Sequence, residues 1–525
     1  MNASGSARVI TEALGGSALA VAVQGRRLPD AVQPWWPATL DEWREHAERV
    51  RGSAPAEWLE AIRPALAPSG EAATRLARVS GGRGIVVTTG QQAGVFGGPL
   101  YTLTKALGAL GLADAIQERL GIPAAPVFWA ATDDADFAEA ATTYAADADG
   151  LHELTLGQRP PAGTPMADAL LGADATALVD RLRRACGSAA HVEFFELARA
   201  SFTEQHTLGD AYVRLLRSLL EPLGIAVMDS SHAAYRHAAR PILRDALSAA
   251  PTIARATAEA AAAIRQAGFE PQVQDDRGLS LVFAIEQGLK RRVSVDDAGR
   301  VTASSDLVLA PNVLLRPVVE RALFPTVAYV AGPGELAYFA QSNAAGHALG
   351  REGVVGTPRW SCTVVEPFAD RALRRLGVAH GELADVHALE RRLAVAAMPA
   401  EVSASWARLQ EVLRAGLAEF AGAVNAAALL PPAVVQGLDR SLAHRLNRTE
   451  RRLRAAVKRR DERTRRDLAT ASGALYPGGR RQERVLNYIP MLARGGDDLM
   501  DALRRGAHAH ALALLAVELP QEAAR

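Results

Sequence analysis

Gly84-Ile85-Val86-Val87-Thr88-Thr89-Gly90-Gln91-Gln92-Ala93-Gly94-Val95-Phe96-Gly97-Gly98-Pro99 is the stretch on which the fold turns. Its opening residues are a short apolar, β-branched run. That pattern predicts a strand buried on both faces. Glycines then mark a turn, and Pro99 suits the first position of a helix reaching about Leu120. A second apolar run, Pro126-Val127-Phe128-Trp129-Ala130, follows the helix. Strand, helix, strand in that order is a βαβ unit, so the sheet is predicted to be parallel and the class α/β.

Working outward, Gly224–Met228 and Thr326–Val330 read as further buried strands. Glu193–Leu219 and Ala233–Ala267 read as helix. Leu28–Leu66, with Trp35, Trp36, Trp43 and Trp58, reads as a helical lead-in packed on the body. Pro271–Thr302 has short alternating runs broken at Asp275-Asp276-Arg277-Gly278 and Asp296-Asp297-Ala298-Gly299, which predicts a small antiparallel insertion with hairpin turns there. From Gly381 to Thr470 the strand pattern stops. Trp406, Leu409, Leu413 and Phe420 step at helical spacing, as do Leu442, Leu446 and Leu453, with Pro431-Pro432 between. This predicts an antiparallel coiled-coil hairpin, and a homodimer formed through it. Gln482–Leu503 is amphipathic and is expected to pack back on the body. The expected domains are residues 1–378, 379–472 and 473–525.

Composition narrows the function classes. The chain has 525 residues, 59 Lys plus Arg against 58 Asp plus Glu, and 49% apolar residues. So even a charge balance argues against nucleic acid or an anionic membrane as partner. No apolar run is long enough to span a bilayer, and Met1–Arg8 does not resemble a secretory signal. Two distant cysteines, Cys186 and Cys362, give neither a disulfide framework nor a zinc set. A reducing cytoplasm is the expected compartment.

Three segments carry candidate chemistry. In the first, Gly90, Gly94, Gly97 and Gly98 let the backbone approach a ligand, and the helix start would attract an anion. Gln91, Gln92, Tyr101 and Lys105 add polar side chains. The same turn equally suits glycines that pack a helix. It is neither a Walker A loop nor a Gly-x-Gly-x-x-Gly fingerprint. The second is Thr132-Asp133-Asp134-Ala135-Asp136, just past a strand end, where open parallel sheets bind ligands. Its carboxylates suit Mg²⁺ or a substrate amine, or simply a helix N-cap. The third joins Asn312 and Arg316 to Gly332-Pro333-Gly334-Glu335, Tyr338 and Gln341. Arginine in so apolar a run is either paired or binds a carboxylate or phosphate. No nucleophile elbow or His-Glu-x-x-His motif occurs, and no metal-ligand set is evident.

These segments together resemble one family. Thr89-Gly90-Gln91-Gln92-Ala93-Gly94 with Gly98-Pro99-Leu100-Tyr101-Thr102 and Lys105 is similar to the signature of the bacillithiol biosynthesis cysteine-adding enzymes, BshC. Pro126-Val127-Phe128-Trp129 through Asp134-Ala135-Asp136-Phe137 resembles its second motif. Asn312 to Pro317, then Gly332-Pro333-Gly334-Glu335 and Tyr338, resembles its third. Pro358-Arg359 and Gln482-Glu483-Arg484-Val485 with Asn487 also match. The resemblance implies a Rossmann-like parallel-sheet core with inserted connecting segments and an α-helical antiparallel coiled-coil domain. It implies a ligase that joins the cysteine carboxyl to the amine of glucosaminyl-malate, the last step of bacillithiol biosynthesis. ATP and Mg²⁺ would supply the activation. Gln92, Asp134, Asp136 and Glu335 are then catalytic candidates. Gly90, Gln91, Gly94, Gly97, Gly98, Tyr101, Lys105, Asp133, Asn312, Arg316, Gly332, Tyr338 and Gln341 are candidates for binding substrate or nucleotide.

Two departures keep other readings open. The family commonly has histidine between the aspartates of the second motif, where this chain has Ala135. The His-x-Gly-His and Lys-Met-Ser-Lys-Ser signatures of class I synthetases are also absent. A nucleotidyl or aminoacyl transferase with another amine acceptor is the first rival. A non-enzymatic RNA-binding protein, suggested by the arginine-rich Arg445–Arg466, is the second; the same arginines suit a solvated coiled-coil face.

Overall fold

A computed structural model describes residues 6–30, 32–55, 57–157, 159–274, 278–304 and 306–516. The chain divides into two compact units. One comprises residues 1–147, 151–366 and 482–525, the other residues 148–150 and 367–481.

The first unit is built on a five-stranded sheet. Its strands are β1 (Ile85–Gln92), β2 (Ala124–Ala131), β3 (Ala226–Asp229), β7 (Thr326–Ala331) and β8 (Gly356–Pro358), in the order β8-β7-β1-β2-β3. Every pairing is parallel. The apolar runs of β1, β2 and β7 are buried on both faces, as strands covered by helices on each side must be. Between β1 and β2, α1 (Leu100–Leu120) makes the crossover. It is apolar almost all round because the C-terminal helix Ile489–Leu515 packs over its outer side. In the lead-in, Trp43 and Trp58 are core residues, whereas half of Trp35 faces solvent.

Between β3 and β7 lies the inserted antiparallel sheet, with β4 (Leu279–Glu286), β5 (Leu289–Ser294) and β6 (Val308–Pro311) in the order β5-β4-β6. Its hairpin turn is Gln287-Gly288, where both residues have positive φ. Of the turns expected from sequence, Asp275-Asp276-Arg277 lies outside the described residues. Asp296–Gly299 is not a hairpin: Ser294 Oγ and Asp297 bond each other and lead into the short helix Ala298–Ala303. Glu193–Leu219 is also two helices, because Thr207 caps a new start at Leu208. Two further helices hold site residues, α2 (Arg316–Leu323) and α3 (Pro333–Ala348).

The second unit is helical. It contains α4 (Pro367–Leu376), α5 (Ala400–Ala426), α6 (Pro432–Arg460) and α7 (Glu462–Leu475). Pro431 and Pro432 end the turn between the long arms α5 and α6 and open the second arm. This unit spans 367–481 because α4 packs on α7, where Arg375 holds Asp467 with bonds of 2.8 and 2.6 Å.

Candidate active site

In an open parallel sheet, strand carboxyl ends leave a crevice that side chains from several strands can share. Here the ends of β1, β2 and β7, the start of α3 and the inserted sheet enclose a cavity of about 690 Å³. Gly90, Gln91, Gln92, Tyr101, Lys105, Asp133, Asp134, Asn312, Arg316, Gly332, Glu335 and Tyr338 all line it. Sequence segments more than two hundred residues apart therefore meet at one site.

Lys105 leans back along α1, as helical side chains do. Its ammonium donates to Gly90 O at 2.5 Å and to Glu335 Oε2 at 2.7 Å. Burial lowers its pKa, with Glu335 opposing. Glu335 is saturated. Oε2 also accepts from the Gly332 amide at 2.6 Å, which caps α3, and Oε1 accepts from Tyr329 OH at 2.6 Å. Burial would raise its pKa, but Lys105 and Arg316 outweigh that and hold the carboxyl below its ordinary value. A carboxylate held this firmly organises the site rather than accepting a proton. Behind it, Arg316 donates to Tyr329 OH at 3.0 Å and pairs with buried Glu320 at 3.3 Å. Asn312 Oδ1 accepts from the Leu314 and Leu315 amides ahead of α2. Burial pushes the Tyr338 hydroxyl up, so it stays protonated.

The two aspartates after β2 differ. Asp133 is fully engaged: Ser230 Oγ donates to Oδ1 at 2.5 Å and Lys290 Nζ to Oδ2 at 2.9 Å. Burial opposes its charge, yet Lys290 and Ser230 hold its pKa down. Asp134 receives the Gln92 side-chain amide and the Ala135 backbone amide at 2.9 Å. Its pKa is raised, by burial first, against the pull of Lys290. Asp134 and the more exposed Glu139, whose pKa burial also raises, are the cavity carboxyls poised to accept a proton, and Asp134 is the deeper of the two.

Several expectations need correction. Gly94, Gly97 and Gly98 do not line the cavity, and the turn is no phosphate cradle. Asn487 Nδ2 donates to Phe96 O and Gly98 O at 2.9 Å each, and the Leu100 amide is spent on Leu486 O at 2.8 Å. Gly97, at φ +84°, lies against the Tyr488 ring with no room for a Cβ. The packing role of these glycines therefore prevails. Asp136 caps a short helix through the Glu139 amide at 3.2 Å and does not line the cavity. Gln341 instead clamps Val273, donating to its carbonyl at 3.0 Å. Among the described residues no group of three or more His, Cys, Asp or Glu side chains could hold a metal ion. With Asp133 engaged and Asp136 turned to its helix, the acidic trio does not fit Mg²⁺.

Three lining residues are not among the site candidates: Lys290, which the sequence does not single out, and Arg359 and Arg484, which enter only as parts of matching motifs. Lys290 enters from the inserted sheet, its charge 4.9 Å from the Phe283 ring centre. Arg359 forms a buried fork with Glu483 at 2.7 and 2.6 Å and lies over the Tyr101 ring. Arg484 is exposed and lines the rim, with no ion pair among the described residues. The basic run Lys290-Arg291-Arg292 was the only local signal for the first; nothing in the sequence says which strand edge it reaches. Among the described residues six cationic side chains and four carboxylates line the cavity, but Lys105, Lys290, Arg316 and Arg359 are each held in an ion pair, which leaves Arg484 at the rim as a cation open to an anionic ligand.

Comparison with known proteins gives two family matches. Residues 36–352 match the N-terminal Rossmann-like domain of bacillithiol biosynthesis BshC, and residues 364–514 its C-terminal coiled-coil domain. A relative from Solibacter usitatus is 32% identical, over 79% of this chain and 81% of its own length. One from Koribacter versatilis is 30% identical over 85% and 86%, and one from Geobacillus thermodenitrificans 25% identical over 85% and 87%. Each carries the provisional name cysteine ligase BshC.

Proposed function

Because this chain belongs to the bacillithiol biosynthesis BshC family, we propose that it is a cysteine ligase joining the cysteine carboxyl to the amine of glucosaminyl-malate. The observation that carries this reading is the raised carboxyl of Asp134, set beside engaged cations in a cavity at the strand ends. An amine must be unprotonated to attack. Asp134 accepts its proton as the new carbon–nitrogen bond forms and the leaving group departs with the activated carboxyl oxygen. Gln92 and the Ala135 amide fix the orientation of Asp134. Arg484, at the rim, attracts a carboxylate of malate or cysteine. Lys105, Glu335 and Arg316 keep the crevice rigid.

A carboxylate does not condense with an amine in water unaided. ATP with Mg²⁺ is the activator we propose, with no residue assigned to the metal. The test mixes purified protein, cysteine, glucosaminyl-malate, ATP and Mg²⁺ and follows bacillithiol by mass. Product that requires both substrates supports the reading; no product with or without any nucleotide overturns it.

A further inference from the structure

Lys290 sits on β5, in the inserted sheet, yet its side chain is spent on Asp133, two residues past the end of β2. Its ammonium donates to Asp133 Oδ2 at 2.9 Å and to Asp133 O at 2.8 Å, with the pair almost wholly buried. Its stem runs past the Phe283 ring, and its own amide donates to Gly163 O at 2.8 Å. One residue thus ties the insertion to the loop at the carboxyl end of β2, an interior strand of the parallel sheet. The charged groups facing Asp134 are Asp133 on its own loop, Lys290 from the insertion and Glu139 from the helix after Asp136; Arg484 faces Glu139. Gln92 contributes a neutral donor from β1. Lys290 is therefore the sole cation of this set acting on the acidic pair itself.

We propose that Lys290 is a positioning residue that fastens the inserted sheet over the acidic pair and, by its charge, keeps Asp134 able to accept a proton in the working pH range. This rests on the role given to Asp134 above. An opposite charge within about 4–6 Å lowers a carboxyl pKa by about 1–3 units. Lys290 is the largest influence opposing the burial of Asp134, while Asp133 adds like-charge repulsion on the side of burial.

The test uses the full chain with Lys290→Met, alone and combined with Asp133→Asn. The single variant leaves Asp133 buried without its cation, a change that is costly in itself; the double variant removes both charges and keeps the fold testable. In Lys290→Met the acid limb of kcat/KM for ligation should move up by about one pH unit. In the double variant it should move back toward the wild-type position. In both, hydrogen exchange of peptides spanning 279–294 should quicken by roughly tenfold. Unchanged exchange overturns the fastening. Faster exchange with an unmoved acid limb reduces Lys290 to a structural residue and overturns the proposal. A wild-type protein that does not ligate would instead defeat the reading of function, and the exchange measurement would still decide the fastening.

Discussion

Gln92, the last residue of β1, donates its side-chain amide to Oδ2 of Asp134, just beyond the end of the neighbouring strand β2. Parallel register makes this possible: Gln92 pairs with Ala131, so the two strand ends are level. Gln92→Ala should lower kcat/KM for ligation by roughly 10²-fold, because Asp134 loses both orientation and a donor that favours its charged form. Half-buried Gln92 supports little else, so the unfolding free energy should change by no more than about 1 kcal/mol. Turnover and denaturant midpoint measured on one preparation check this. Unchanged turnover would remove Asp134 from its role, and a joint collapse would make Gln92 structural.

The glycine turn gives a stability prediction instead. Gly97 has φ +84° and no space for a Cβ against Tyr488. Gly97→Ala should destabilise the first unit by roughly 2–4 kcal/mol, from left-handed strain plus overpacking. Asn487→Ala should cost about 2 kcal/mol, since two buried carbonyls lose their donor. Thermal unfolding measures both. A ligand-contact role would leave stability untouched and abolish binding alone.

Four strands of the parallel core were legible because each is a compact apolar run next to a glycine or proline, whereas the three-residue β8, Gly356-Thr357-Pro358, has no such run and was not legible. Gly84–Thr88 and Pro126–Ala130 predict neighbours, and β1 and β2 are neighbours. The strand-end position of Gln91, Gln92, Asp133 and Asp134 follows from the same reading. What stayed hidden depends on long-range partners. Nothing near Gly98 says that Asn487 will occupy its carbonyl, and nothing near Asp133 says that Lys290 will reach it. Capping misled as well: Asp136 and Glu335 look alike as acidic first-turn residues, yet one caps a solvent-facing turn and the other anchors a buried network.

The helical arms predict association. On α5, Val402, Leu409, Val412 and Phe420 are exposed, and on α6 so are Val434 and Leu438. A coiled-coil arm that leaves so many apolar side chains in water has a face for a further helix. We expect a homodimer through these arms. Light scattering should give twice the chain mass for the wild type, and the chain mass for Leu409→Asp with Phe420→Asp. A monomeric wild type at micromolar concentration would refute it.

Glu320 supplies a pH test that does not depend on catalysis. It lies fully buried on α2, and burial, opposed by Arg316, pushes its pKa up to about 7. Because the folded pKa exceeds the unfolded one, the folded state binds the proton more tightly. The contribution of this residue to stability is therefore complete below about pH 4.5 and is lost as pH rises through about 7. Glu320→Gln keeps the shape and removes the titration. Relative to the variant, the wild type should lose up to about 3 kcal/mol of unfolding free energy between pH 4.5 and 8. Parallel denaturant titrations across that range give the difference directly. A pH-independent gap between the two proteins would mean that Glu320 stays ionised beside Arg316 throughout, with the ion pair dominating burial.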